Sequence, residues 1–217
     1  MGWQTSRQPG SQFGSRFGAM ASRTLLAVLV VGASPAALAA NAGQAAPNFT
    51  VTDTQGKPVQ LSDFRGRYVV LEWTNPQCPF VRNHYNTKNM QTLQGDWGPR
   101  GVVWLSINST NKSSWEYMAP EKLDAWMHNS GAAQKAVLVD SESAVARLYQ
   151  AKTTPHMFVI DPEGKIVYAG AIDDRPSTRP ADPMAARNYV RTALTEATSG
   201  RAVTTADTTP YGCSIKY

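Results

Sequence analysis

A nearly unbroken apolar run, Tyr68–Trp73 (YVVLEW), gives way after a short polar turn to Cys78-Pro79 and then to a helical pattern through Phe80, Tyr85, Met90 and Leu93. That junction leaves few architectures open. A strand apolar at nearly every position is buried on both faces, which happens when helices cover both sides of a sheet. Pro79 stands where a helix accepts proline, in its first turn. The pattern predicts that this helix stops around Gly95–Gly98 and that Val102–Ile107 (VVWLSI) forms a second buried strand.

The rest of the chain continues the alternation. Phe49–Thr52 alternates like an edge strand, and Gln55-Gly56 signals a turn into Val59 and Leu61. Residues 108–119, rich in Ser, Thr and Asn, read as a surface loop, Pro120–Asn129 as a short helix closed by Gly131. Ala136–Asp140 reads as a strand and Ser143–Tyr149 as a short helix. His156–Ile160 and Ile166–Ala169 flank Asp161-Pro162-Glu163-Gly164, a hairpin turn. Ala181–Ser199 reads as one amphipathic helix and residues 200–217 as a polar tail. The expected class is α/β, a central mixed sheet flanked by helices. One domain, 48–199, follows a linker at 40–47, and no internal repeat is visible.

The formal charge of +5 suggests a nucleic-acid or acidic partner only until its distribution is examined. Of 21 basic residues, Arg7, Arg16 and Arg23 lie in residues 1–39, which hold no acidic residue; the remainder has 18 basic against 16 acidic. No nucleic-acid partner is expected. Arg23, the run Leu25–Val31 (LLAVLVV) and Ala37-Leu38-Ala39 have the order of an export signal, cleaved after Ala39. The run is well short of the ~20 residues that span a bilayer. Met20 begins a signal of ordinary length, so residues 1–19 read as an upstream extension or a mis-called start. Membrane contact is expected only through this segment, and the mature domain is expected in the periplasm or outside the cell.

Two cysteines, Cys78 and Cys213, are too few for a disulfide-built scaffold, though an even count suits pairing in an oxidising compartment. Cys78 leaves a buried strand and meets a helix at its N-terminus, a corner expected to be exposed and electropositive. Free amide groups and the positive end of the helix dipole favour thiolate there, and the thiolate is the nucleophile. Arg82, one turn on, is placed to add positive charge. Glu72, inside the apolar strand, is costly to bury ionised and would have a raised pKa, suiting it to move a proton to or from the sulfur. Thr154-Pro155 opens a buried strand, which suggests a cis peptide in a tight turn. His84, His128 and His156 are scattered and make no metal-ligand spacing with the cysteines, so no metal and no dissociable cofactor are expected. His84, six residues past Cys78, reads as a surface residue, and Asp173-Asp174 as a polar turn. Trp73, Trp104 and Trp126 read as core, Trp97 and Trp115 as residues near loops that could border a binding surface.

From Ala46 to about Ser199 the chain resembles the thioredoxin-like superfamily, and within it the alkyl hydroperoxide reductase/thiol-specific antioxidant (peroxiredoxin-like) branch. The stretch APNFTVTDTQGKPVQLSDFRGRYVVLEW is similar to that branch's opening, and CPFV sits where thioredoxins carry Cys-x-x-Cys. The tail PYGCSIKY resembles the C-terminus of a peroxiredoxin-like subgroup. The resemblance implies a thioredoxin-like fold with Cys78 as attacking cysteine, Glu72 as the buried acidic residue, and Thr154-Pro155 as the loop that presents backbone to an extended thiol substrate beside Pro79 and Arg82. Substrates would be protein thiols and disulfides or hydroperoxides, with a reducing thiol protein as electron donor.

Two departures qualify this. Val81 replaces the second cysteine of the motif. The peroxidase pattern P-x-x-x-T-x-x-C is not met, with Leu71 for its proline and Asn75 for its threonine, which withdraws hydrogen bonds that activate a peroxide oxygen. Cys213, in a tail long enough to fold back, stands open to three readings: a resolving partner for Cys78, a permanent clip, or an unpaired thiol. Thiol exchange is the expected activity. A thiol peroxidase and a redox-inactive binding or chaperone module are the alternatives.

Overall fold

The computed structural model describes residues 40–217 and, before them, Gly14 alone. The export-signal reading lies outside the described residues. A five-stranded sheet forms the centre, in the order β5-β4-β3-β7-β8, built from β3 (Val69–Trp73), β4 (Val103–Asn108), β5 (Ala136–Val139), β7 (His156–Ile160) and β8 (Ile166–Gly170). β3 runs parallel to β4, and β4 to β5, whereas β7 is antiparallel to both β3 and β8. The hairpin β1 (Thr50–Thr52) and β2 (Pro58–Gln60) precedes it.

Strand residues point alternately to the two faces, so the apolar run of β3 feeds two cores. Val69, Leu71 and Trp73 join Phe49, Leu105, Ile107 and Phe158 on one face, closed by Tyr149 of α4 (Ala144–Tyr149). Val70 joins Trp104, Met157 and Val159 on the other, under α1 (Pro79–Asn86), α2 (Asn89–Trp97), α3 (Pro120–Ser130) and α6 (Tyr189–Thr198). Glu72 follows Val70 in that period and so faces the second layer, the one that contains Cys78.

Several segments depart from the sequence reading. The helix after Cys78 is two, divided at Lys88, which takes a left-handed conformation (φ 62°). The final helix is also two, α5 (Ala181–Ala185) and α6, because Asn188 stops the chain in extended conformation and caps α6 by accepting from the Arg191 N–H. Residues 40–47, read as a linker, bind the sheet edge: Gly43 donates to the Ile166 carbonyl and Ala46 to that of Gly164. In the 108–119 loop Ser109, Thr110 and Glu116 are buried. The tail is ordered along the domain. The Ala169 N–H donates to the Ala206 carbonyl and its own carbonyl accepts the Thr208 N–H, and β9 (Cys213–Ser214) pairs antiparallel with β6 (Thr153–Thr154).

Candidate functional site

Cys78 caps α1 from an extended conformation, with Pro79 at the first helical position. Its N–H donates to the Asn75 carbonyl at 2.9 Å, and its own carbonyl accepts the Arg82 N–H at 3.0 Å. Asn75 orders the preceding turn, accepting the Gln77 N–H on Oδ1 and donating from Nδ2 to Glu116. The sulfur is therefore delivered to the mouth of a helix, where the dipole and the unpaired first-turn amides favour negative charge.

The sulfur is not exposed, however. Cys78 is 1% exposed, because the tail lies across it: Cys78 and Cys213 form a disulfide with their Cα atoms 5.9 Å apart. Cys78 Sγ also lies 3.0 Å from the Thr154 carbonyl oxygen, an acceptor for the thiol proton of the reduced form. The Thr154–Pro155 peptide is cis. Register pairs Thr154 with Cys213, so the chain's own tail occupies the edge next to this turn. Gly212 makes the approach possible. Its φ is 132°, and a Cβ there would run into the Thr154 carbonyl and the Pro155 ring.

Glu72 is 1% exposed and accepts three bonds, from Tyr85 Oη (2.9 Å), Trp104 Nε1 (2.7 Å) and Ser106 Oγ (3.2 Å). Burial raises its pKa against the pull of these donors. Cys78 is not among its partners, so Glu72 touches the sulfur's layer rather than the sulfur.

Arg82 turns its guanidinium to the loop before the cysteine, donating to the Pro76 carbonyl at 2.6 Å and to Gln77 Oε1 at 3.2 Å. A nearby carbonyl captures the long side chain that spacing alone would send along the helix. Pro79 is exposed.

His84 is buried, contrary to the surface reading. Val81, His84 and Tyr85 share the i, i+3, i+4 face of α1 that packs inward; that spacing was the signal available in the sequence. Burial lowers its pKa to about 4. Asp173, read as part of a polar turn, is buried and accepts a 2.5 Å bond from Tyr211 Oη. Trp97 is core, whereas Trp115 is 82% exposed. Tyr211 and Gly212 lie within the PYGCSIKY tail, whose resemblance assigned them no role, and the fold-back of the tail brings them to Cys78. Among the described residues no cluster of His, Cys, Asp and Glu could hold a metal ion, and no helix is long and apolar enough to cross a membrane.

Residues 42–169 match the AhpC/TSA family. The thiol-disulfide oxidoreductase ResA of Bacillus subtilis (strain 168) is 27% identical over 132 residues, covering 58% of this chain and 64% of that protein. The chain thus spans slightly under two thirds of that relative's length. Among solved structures, an uncharacterised conserved protein from Geobacillus kaustophilus aligns with a TM-score of 0.72 at 28% identity, covering 82% of this chain and 93% of its own. A hypothetical protein from Sinorhizobium meliloti 1021 aligns at 0.69 and 26%, covering 81% and 94%. The fold is thioredoxin-like, and the chain belongs to the AhpC/TSA family.

Proposed function

We propose that this protein is a thiol–disulfide oxidoreductase working outside the cytoplasm, in which Cys78 attacks and Cys213 resolves. The observation that carries the reading is the joining of these two cysteines at a helix mouth beside Thr154-Pro155. The likeness to ResA, by name a thiol-disulfide oxidoreductase, supports it.

In the reducing direction, Cys78 thiolate attacks a substrate disulfide, forming a mixed disulfide and releasing one substrate thiolate, which takes up a proton. Cys213 thiolate then attacks Cys78 Sγ, the Cys78–Cys213 bond forms, and the second substrate thiolate leaves. Two electrons pass to the substrate, and a reducing thiol protein restores the pair. Glu72, with its raised pKa, serves as a proton reservoir in the cysteine's layer. A substrate disulfide would approach Cys78 beside the Thr154-Pro155 turn, with Pro79 and Arg82 at the rim.

Exchange is favoured over peroxide reduction because the Asn75 side chain is already committed to Glu116 and Gln77. Export rests on Arg23, the Leu25–Val31 run and Ala37–Ala39.

The test begins with reduced protein, oxidised glutathione or hydrogen peroxide at equal concentration, and alkylation read by mass. Oxidised glutathione is expected to yield the Cys78–Cys213 disulfide, and Cys78→Ser to yield none. A faster reaction with peroxide would move the assignment to a thiol peroxidase. Inertness to both would leave a binding module. Fractionation of cells expressing the full chain should find a product beginning at Ala40 outside the cytoplasm; a full-length cytoplasmic product counts against export.

A further inference from the structure

We propose that Tyr211 is the positioning residue of the resolving step: its hydroxyl, clamped between Asp173 and His84, seats the tail so that Cys213 is held against Cys78. The inference rests on the exchange reading above and adds to it the group that sets the rate of resolution.

The clamp is a one-directional chain of hydrogen bonds. Tyr211 Oη donates to Asp173 Oδ1 at 2.5 Å and lies 3.1 Å from His84 Nε2. With the phenol proton given to Asp173, the phenol oxygen accepts, so His84 carries its proton on Nε2. The other ring nitrogen then accepts, and Asn89 Nδ2 lies 2.8 Å from it. Asn89 Oδ1 accepts in turn from Asn188 Nδ2 at 3.2 Å, and Asn188 Oδ1 accepts the Arg191 N–H at 2.8 Å. This tautomer follows from the donors and acceptors around the ring. The chain ties Tyr211 to α1, α2, the N-terminus of α6 and the segment after β8, all parts of the body of the domain.

The surroundings make the clamp strong. Asp173 and His84 are each 1% exposed. Asp173 Oδ1 also takes the Arg175 N–H at 3.0 Å, while Oδ2 has no partner among the described residues. A desolvated carboxylate with few donors holds the ones it has tightly. The Tyr211 ring packs edge-on to Phe80, at 5.8 Å between centroids. Two residues beyond Tyr211 lies the sulfur that must meet Cys78.

Chemically, the residue acts by effective concentration. In the mixed disulfide Cys213 is free and competes with solution thiols for Cys78 Sγ. A tail fixed by Tyr211 keeps Cys213 near the bond it must attack, whereas a loose tail offers it only part of the time. Tyr211 touches neither sulfur and moves no proton in this step.

The experiment mixes reduced full-length protein with one equivalent of dithiobis(nitrobenzoate) in a stopped-flow instrument. Attack by Cys78 releases one coloured thiolate, and resolution by Cys213 releases a second. Cys213→Ser isolates the first phase, and Cys78→Ser shows what Cys213 does alone. In Tyr211→Phe the first phase should keep its rate while the second slows about tenfold, the loss that one hydrogen bond to a charged group can produce. Asp173→Asn, which keeps an acceptor oxygen, should fall in between. An unchanged second phase, or equal slowing of both phases as expected of a general loosening, overturns the proposal. Absence of a first phase in wild type and Cys213→Ser would sink the exchange reading, and this inference with it.

Discussion

Three buried ionisable side chains in this domain are pushed in different directions by burial. Glu72 and Asp173 are raised, chiefly by desolvation, while His84 is lowered to about 4 from the usual 6.5 for the same reason. Between those two values the unfolded chain binds a proton at His84 that the folded one refuses. Stability contributed by the neutral ring is therefore complete above pH 6.5 and is lost as pH falls toward 4. Raised carboxyl groups act with the opposite sign, since the folded state holds their protons at higher pH than the unfolded one. A variant isolates the histidine from that sum. Gln can place an amide N–H where Nε2 stands, so His84→Gln keeps a donor for Tyr211 and does not titrate. The fall in melting temperature from pH 6.5 to 4 is expected to be shallower in this variant than in wild type; parallel curves would show that His84 is not a source of the acid sensitivity. His156, lowered by burial to about 3, remains in both proteins.

At the scale of elements, the active corner is made by one helix start and two short strands. α1 begins where Pro79 can begin a helix, and the Cys78 carbonyl accepts the first helical bond. β6 and β9 are two residues each and cannot hold together on their ladder alone. Their union depends on Gly212 lying flat against Thr154 and Pro155, and on Tyr217 Oη reaching the Ala151 carbonyl at 2.5 Å. Gly212→Val places a branched side chain at φ 132°, at a cost of roughly 1–3 kcal/mol. In a graded thiol–disulfide buffer the variant should form the Cys78–Cys213 bond less readily by that amount. An unaltered midpoint would mean that the tail seats without this approach.

Across the described residues, the disulfide joins positions 135 apart in sequence and ties β9 to the start of α1. Closing so long a loop removes freedom from the unfolded chain, typically worth about 2–4 kcal/mol. Oxidised wild type should therefore unfold at higher denaturant than Cys213→Ser, and added dithiol should lower the wild type toward the variant while leaving the variant unmoved. Equal midpoints for oxidised and reduced wild type would exclude a stabilising clip. The polar and ring contacts of residues 204–217, such as Arg147 over the Tyr217 ring at 4.5 Å, do not depend on the bond. They give the reduced tail a reason to stay near the domain.

Local chemistry was enough to read the sheet-and-helix alternation, the helix start at Pro79 and the turn at 161–164, because each is written in residues adjacent in sequence; the cis peptide at Thr154-Pro155 was expected only once Cys78 and the resemblance were set beside it. Apolar runs report burial, proline restricts its own backbone, and a cysteine between strand and helix meets a dipole wherever the chain goes afterwards. Where the polar tail lands was not legible. Its seating across Cys78 and the burial of Asp173 beneath Tyr211 arise from groups far apart in sequence. Hydrogen bonds and a disulfide between such groups have no periodicity to betray them; they exist only once the packed sheet has brought the partners within reach.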